Sequence, residues 1–120
     1  MNDSVLIIED ELLIAELVKM NLRMRHITCN VATTGQEGME MFENQNPSIV
    51  LLDVRLPDTD GWELCKKIKQ NKPDSVVIFM TAATQKKDRE EAEKAGADDF
   101  IEKPFDIGEL VSLVNKYRKY

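Results

Sequence analysis

The chain has few cysteines, no long apolar run and an excess of acidic over basic residues. Two cysteines, Cys29 and Cys65, among 120 residues predict reduced core side chains, not a disulfide framework, and suit a cytoplasmic protein. No apolar run reaches the roughly 18 residues that a membrane-spanning helix needs, and the N-terminus lacks the pattern of a secretion signal. With 22 acidic and 16 basic residues, the net charge of −6 argues against nucleic-acid binding by this domain. The length predicts a single domain over residues 1–120.

Short apolar runs alternate with helical patterns along the whole chain. The runs lie at residues 4–8, 27–31, 49–52, 76–80 and 100–102. Most lack polar alternation, which is typical of strands covered on both faces, whereas residues 27–31 alternate like an edge strand. Thr34, Asp60 and Asp106 each stand three residues before a Glu, as helix caps do, and Gly96 is a predicted helix stop. The alternation predicts an α/β fold with a doubly wound, parallel five-stranded sheet.

Polar residues follow four of these runs at the point where each strand should end. They are Glu9 and Asp10 after the first run, Asp53 after the third, Thr81 after the fourth and Lys103 after the fifth. The carboxyl ends of parallel strands lie at one edge of the sheet, and open α/β sheets bind their ligands there. We therefore expect three carboxylates, a hydroxyl and an ammonium to converge at one site.

Such a cluster favours metal-assisted phosphoryl chemistry. Neighbouring carboxylates repel one another and raise each other's pKa values unless a cation intervenes, and hard oxygen ligands favour Mg²⁺ over zinc or copper. With Mg²⁺ and Lys103 present, the charges of Glu9, Asp10 and Asp53 sum to zero, and the two cations can neutralise an incoming phosphoryl group. Thr81 offers a hydroxyl donor to a phosphoryl oxygen. Asp53 is the expected nucleophile, forming an acyl phosphate.

These residues and their surroundings closely resemble the receiver domains of two-component response regulators. The matching segments are Glu9-Asp10, Asp53 within Leu-Leu-Asp-Val-Arg-Leu-Pro-Asp, Gly61, Thr81-Ala82, residues 95–100 and Lys103-Pro104-Phe105. The resemblance covers essentially the whole chain. It implies a flavodoxin-like fold with strand order 2-1-3-4-5. It also implies that Asp53 is phosphorylated by a phosphohistidine on a sensor histidine kinase or a histidine phosphotransfer protein.

The resemblance also assigns a metal site. It implies that Asp10, Asp53 and the backbone carbonyl of Arg55 ligate Mg²⁺ directly, and that Glu9 acts through a water. Many family members carry Asp where this chain has Glu9, but the longer side chain still offers a carboxylate. The peptide bond between Lys103 and Pro104 is expected to be cis.

A second set of residues is expected to couple phosphorylation to a conformational change and to set the lifetime of the acyl phosphate. Thr81 and Phe100 are the expected switch residues, because Phe100 lies three residues before Lys103, where the family carries its switch aromatic. A phosphoryl group would draw the Thr81 hydroxyl towards it and leave space for the ring, shifting the face formed by the fourth helix, fifth strand and fifth helix. Arg55 and Ala83 are expected to flank the path of the water that hydrolyses the acyl phosphate.

The first helix and the loop after Lys103 are the expected docking surface for the kinase. Its periodicity turns Ile14, Leu17, Val18 and Leu22 towards the sheet and leaves Leu13 at the edge of the buried face. An exposed apolar residue beside an acidic site is a candidate anchor for a partner helix. The alternative, that Leu13 simply widens the core face, stays open at this point.

Leu113 is the second candidate for partner binding. Receivers that dimerise typically pair acidic residues near Asp98 and Asp99 with an Arg on the fifth helix, and this chain has Leu113 at that position. With Leu110 and Val114 facing the sheet, Leu113 is expected to project outward and to favour an apolar contact. We expect a monomer when the domain is unphosphorylated and at most a weak dimer when it is phosphorylated.

Three other functions fit parts of the pattern. A flavodoxin needs a hydroxyl- and glycine-rich phosphate loop after the first strand, where this chain has Glu9-Asp10-Glu11. A phosphatase of the haloacid dehalogenase kind needs a second acid two residues after its nucleophile, where Arg55 stands. A degenerate receiver that binds partners without phosphorylation is the remaining alternative. The sequence favours a phosphoacceptor switch over a turnover enzyme, either a stand-alone regulator or the receiver part of a longer protein.

Overall fold

Five strands and five helices alternate in the computed structural model, which describes residues 2–82 and 86–118. The strands are β1 (Asn2–Ile8), β2 (Cys29–Ala32), β3 (Pro47–Asp53), β4 (Val76–Thr81) and β5 (Asp99–Glu102). The helices are α1 (Leu12–Met24), α2 (Gly35–Gln45), α3 (Gly61–Asn71), α4 (Lys86–Ala95) and α5 (Ile107–Tyr117). The alternation predicted from the apolar runs is confirmed.

The strands form one parallel sheet in the order β2-β1-β3-β4-β5. The pairing register brings the strand ends level, since Ile8 lies opposite Leu52 and Asp53 lies opposite Met80. The residues that follow β1, β3, β4 and β5 therefore meet at one side of the sheet, which we call the carboxyl edge. This is the predicted flavodoxin-like arrangement.

Each face of the sheet carries its own apolar core, which explains the unbroken apolar runs. Helices α1 and α5 pack on one face, where Val5 and Ile7 of β1 point. Helices α2, α3 and α4 pack on the other face, against Leu6 and Ile8. Cys29 and Cys65 are buried in different cores and are free thiols, as predicted.

The helix boundaries follow the local signals in the sequence. The side chains of Thr34, Asp60 and Asp106 accept hydrogen bonds from backbone N–H groups in the first turns of α2, α3 and α5. Gly96 has φ +90° directly after α4, a left-handed conformation that glycine adopts without strain. No helix among the described residues is long and apolar enough to cross a membrane.

Two predicted orientations are wrong. Leu17 is 46% exposed, because the buried line of α1 runs through Ala15, Val18 and Leu22, and about 100° of rotation per residue turns Leu17 away from it. Leu113 does not project outward: it is half-buried and packs against the core that α1 and α5 cover.

Candidate functional site

Three carboxylates lie together at the carboxyl edge. Glu9 and Asp10 follow β1, Asp53 ends β3, and one oxygen of each lies within 4.8 Å of the others. Glu9 is 0% and Asp53 6% exposed, whereas Asp10 is exposed. The cluster is therefore buried on the sheet side and accessible from solvent on the side of Asp10.

Lys103 joins this cluster from the end of β5. Its Nζ lies 2.5 Å from Glu9 Oε1, 3.4 Å from Asp53 Oδ2 and 3.6 Å from Glu11 Oε1. The Lys103 backbone N–H donates to the carbonyl of Thr81 at 2.9 Å, and the Lys103–Pro104 peptide is cis, as the resemblance implied. A single ammonium thus serves two buried carboxylates.

The electrostatics of this cluster suit a further cation. Burial raises the pKa of Glu9 to about 7, and Asp53 adds to the rise, although the Lys103 ammonium lowers it. Burial lowers the pKa of Lys103, but Glu9, Asp53 and Glu11 outweigh this effect and raise it above its ordinary value. Because three carboxylates face one ammonium, a divalent cation would balance the excess negative charge and favour ionised Glu9.

The oxygen atoms also fit a metal. Glu9 Oε2 accepts from the Glu11 N–H at 3.1 Å. Glu9 Oε1 is buried and lies 2.5 Å from the Lys103 ammonium. Mg²⁺ binds carboxylate oxygens that lie close together with access to water, as these three carboxylates do on the side of Asp10. Glu9, Asp10 and Asp53 could therefore hold a metal ion.

The turn after β3 places the backbone of Arg55 beside Asp53. The Arg55 N–H donates to Asp53 Oδ1 at 3.4 Å, and the Gly61 N–H donates to the Val54 carbonyl at 2.5 Å. A Cβ on Gly61 would lie 2.4 Å from the Asp53 carbonyl oxygen, so this close approach requires glycine. The Arg55 side chain is exposed.

Thr81 and Phe100 lie on neighbouring strands. Thr81 ends β4, is buried, and pairs with Glu102 of β5. Phe100 is half-buried against the core on the α4 side, with the Arg89 guanidinium 5.8 Å from its ring centroid. The predicted coupling between them stays a prediction, and Ala83 lies outside the described residues.

Leu13 does not widen the core, because 89% of it is exposed. It belongs to a larger set that the sequence analysis missed, a row of exposed apolar residues on α1 that we call the α1 stripe. The stripe consists of Leu13, Leu17, Met20 and Met24. Their spacing of four, three and four residues was the available signal, since it marks one helix face, here the face away from the sheet.

The fold and the site together define this protein as a doubly wound α/β domain with an acidic cluster and a lysine at the carboxyl edge. The profile of the response regulator receiver domain matches residues 5–115. The chain belongs to this family, and is a receiver domain of the kind found in two-component response regulators.

Individual relatives agree with this assignment. The transcriptional regulatory protein TrcR of Mycobacterium tuberculosis is 36% identical over 108 residues, which are 90% of this chain and 42% of that protein. A CheY-like receiver domain protein from Methanospirillum hungatei JF-1 superposes with a TM-score of 0.91 at 28% identity, over 97% of this chain and 93% of that one. The BeF3-activated receiver domain of DrrB superposes with a TM-score of 0.86 at 30% identity, over 98% and 97%. The chain spans about half the length of the curated relatives it matches.

Proposed function

We propose that this domain, acting as a single unit over residues 1–120, is a phosphoacceptor switch of a two-component phosphorelay. Asp53 accepts a phosphoryl group from a phosphohistidine on a kinase or phosphotransfer protein. The observation that carries the proposal is the convergence of buried Asp53, buried Glu9 and Lys103 at the carboxyl edge. No observation favours the degenerate alternative, because the chain retains every residue that the chemistry needs.

Asp10, Asp53 and the backbone carbonyl of Arg55 would hold Mg²⁺, with Glu9 contributing through a water. When bound, the metal supplies positive charge that neutralises and orients the phosphoryl oxygens. Asp53 has one oxygen near the Arg55 N–H and the other near Lys103, so both of its oxygens are oriented before the donor arrives.

In the transfer step, a carboxylate oxygen of Asp53 forms the new bond to phosphorus. The phosphorus–nitrogen bond of the donor breaks, and the imidazole nitrogen leaves with the electron pair. Lys103 neutralises charge on the transferred group, and the Thr81 hydroxyl donates to one of its oxygens. The product is an acyl phosphate on Asp53.

The acceptor assignment is tested with a small phosphodonor. In acetyl phosphate and Mg²⁺, we expect intact-protein mass spectrometry to detect one added phosphoryl group. Asp53→Asn should abolish the addition and Asp10→Asn should weaken it, whereas Asp74→Asn, at an exposed acid away from the site, should leave it unchanged. Undiminished labelling of Asp53→Asn would contradict the proposal.

We propose that phosphorylation changes the surface formed by α4, β5 and α5, and that output partners recognise this change. Phe100 lies in the wall of a cleft that Arg89, Ala92 and Pro104 also line, and the neighbouring strand carries Thr81. Movement of the Thr81 hydroxyl towards a phosphoryl group would change the space available to the Phe100 ring and so the shape of this cleft. Ligand binding shifts such a balance only by its differential contacts with the two states.

The phosphodonor is proposed to dock on the α1 stripe. Leu13 lies in the first turn of α1, three residues after Asp10 in the sequence, and Leu17, Met20 and Met24 continue an exposed apolar row along the helix. A partner helix laid along this row would bury apolar surface while its phosphohistidine reaches the carboxyl edge. We place the domain in the cytoplasm, where such kinases present their phosphohistidines.

A further inference from the structure

Asp58 connects the turn after β3 to a distant helix. Its Oδ1 accepts from the Gly35 N–H at 2.8 Å and its Oδ2 accepts from the Gln36 N–H at 2.9 Å. These are the first two N–H groups of α2, where the helix dipole favours a negative charge. The contact is close, since a Cβ on Gly35 would lie 2.4 Å from Thr59 Cγ2 and 3.2 Å from Asp58 Oδ1. We call this pair of hydrogen bonds the Asp58 clasp.

The turn that carries Asp58 has its base at the metal site. Arg55 pairs with Asp60 in an isolated antiparallel bridge, and the Leu56 N–H donates to the Thr59 carbonyl at 3.2 Å. Residues 55–60 therefore form a closed turn with Asp58 near its tip. At the base, the Arg55 N–H donates to Asp53 Oδ1.

Asp58 supplies partners for two N–H groups of α2, but capping is only part of what the clasp does, because the helix has a second cap. Thr34 already caps this helix through the Glu37 N–H at 3.1 Å, and the Glu37 side chain accepts from the Thr33 N–H at 2.8 Å. What the Asp58 clasp adds is a fixed distance between α2 and the tip of the turn. Because hydrogen bonds hold the turn at both its base and its tip, its backbone is already restricted before a metal binds. Less conformational entropy is therefore lost when the Arg55 carbonyl becomes a ligand.

We infer that Asp58 is a positioning residue of the metal site: by clasping the turn to α2, it holds the Arg55 backbone where it can ligate a divalent cation. The inference rests on the proposed Mg²⁺ site. Asp58 itself does not touch the metal. Mutation of residues that orient metal ligands commonly changes metal affinity by roughly 10–100-fold. Because Asp58 lies three residues along the chain from Arg55 and acts only through the backbone, we expect about three- to tenfold.

The test compares Mg²⁺ affinity in matched variants by NMR titration of backbone amides. Asp58→Ala removes both hydrogen bonds of the clasp and should weaken Mg²⁺ binding about three- to tenfold. Asp58→Asn keeps one acceptor oxygen and should fall between that variant and the wild type. Thr34→Ala removes a cap from the same helix without touching the turn, and should bind Mg²⁺ within about twofold of the wild type. Thermal melts identify the temperature range in which every variant is fully folded.

The result that supports the inference is weaker binding in Asp58→Ala with unchanged binding in Thr34→Ala. Wild-type affinity in Asp58→Ala would overturn it, and so would equal weakening in both variants, because the effect would then run through α2 in general. Failure of the proposed metal site itself would look different, since the wild type would then show no saturable Mg²⁺ shifts around Asp53.

Coupling between clasp and metal is reciprocal, which gives a second readout. Saturating Mg²⁺ should slow hydrogen exchange at the Gly35 and Gln36 amides of the wild type, because it stabilises the turn that accepts their hydrogen bonds. The Glu37 amide, which donates to Thr34, should change less. Equal changes at all three amides would contradict a specific link through Asp58.

Discussion

At the scale of single residues, the site is shaped by an imbalance of charge. Lys103 contacts both Glu9 and Asp53 but cannot neutralise them together with Asp10. Burying Glu9 behind this cluster has a cost in solvation that shows as its raised pKa. The cluster therefore carries an excess of negative charge, which a divalent cation would balance.

The contribution of Asp58 to the free energy of unfolding should depend on pH, and the direction of this dependence can be stated. Hydrogen bonds from the Gly35 and Gln36 N–H groups lower the pKa of the Asp58 carboxyl. Its stabilising effect is therefore fully present above the unfolded pKa of about 3.9 and is lost as pH falls through the lower folded-state value. We expect the difference in unfolding free energy between wild type and Asp58→Asn, measured with urea, to be constant near neutral pH and to shrink as the pH falls through about 4 and below. A difference independent of pH would show that the carboxylate charge is not involved.

At the scale of elements, α1 presents two faces of opposite character. Ala15, Val18 and Leu22 are buried against the sheet, while the α1 stripe is exposed. Two Leu→Ala substitutions on this helix separate folding from docking. Leu22→Ala, at a fully buried site, should cost about 2–5 kcal/mol. Leu13→Ala should change the free energy of unfolding by less than about 0.5 kcal/mol.

Leu13→Ala should nonetheless slow phosphoryl transfer from the kinase, because it removes an exposed contact of the α1 stripe. Labelling by acetyl phosphate should be unchanged, since that donor needs only the acidic cluster. The measurement is the rate of transfer from each donor under the same conditions. If both donors label the variant more slowly, the defect lies in the site or the fold instead of in docking.

Strands β4 and β5 are expected to move together on activation. Beryllofluoride mimics a phosphoryl group on Asp53, so with Mg²⁺ it should perturb the NMR signals of Thr81 and Phe100. In Thr81→Ala, which lacks the hydroxyl, the shift of Phe100 should be largely lost while the signals next to Asp53 still respond. An unmoved Phe100 in the wild type would count against coupling through this pair.

At the scale of the whole molecule, most of the fold and the cluster at the carboxyl edge could be predicted from the sequence. Glu9, Asp53 and Thr81 each come at the end of an unbroken apolar run, which can be recognised locally in the sequence. Because the strands pair in parallel, these ends meet at the carboxyl edge. The roles of these residues in phosphoryl transfer stay predictions.

The Asp58 clasp could not be predicted, because it joins residues more than twenty positions apart and only the folded chain brings them together. The orientation of Leu17 was missed for a different reason. Several apolar residues on α1 fit either face by spacing alone, and contact with the sheet decides which face is buried.

The structure shows which of the surface residues expected to mediate dimerisation are available to a second copy of the domain. Asp98 and Asp99, the acids that the resemblance led us to expect in a charge-paired dimer, have partners within this chain. Lys69 Nζ lies 2.6 Å from Asp98 Oδ2, and the Tyr117 hydroxyl donates to Asp99 Oδ2 at 2.9 Å. Leu113 offers little apolar surface to a second copy, because it packs against the core.

We therefore predict a monomer at micromolar concentration without phosphate and at most weak association with beryllofluoride and Mg²⁺. Sedimentation velocity in both states measures this directly. Tyr117→Phe is the matched variant, because it removes the hydroxyl that donates to Asp99 Oδ2 and leaves the weaker contact with Lys116 Nζ at 3.8 Å. Any association through Asp99 should therefore strengthen. An exposed pair contributes about 0.2–1 kcal/mol and a symmetric dimer contains two of them, so the dimerisation constant should change by at most about 30-fold. A stable dimer of the unphosphorylated wild type would contradict this prediction, and Met20→Lys would then test whether the α1 stripe forms the contact.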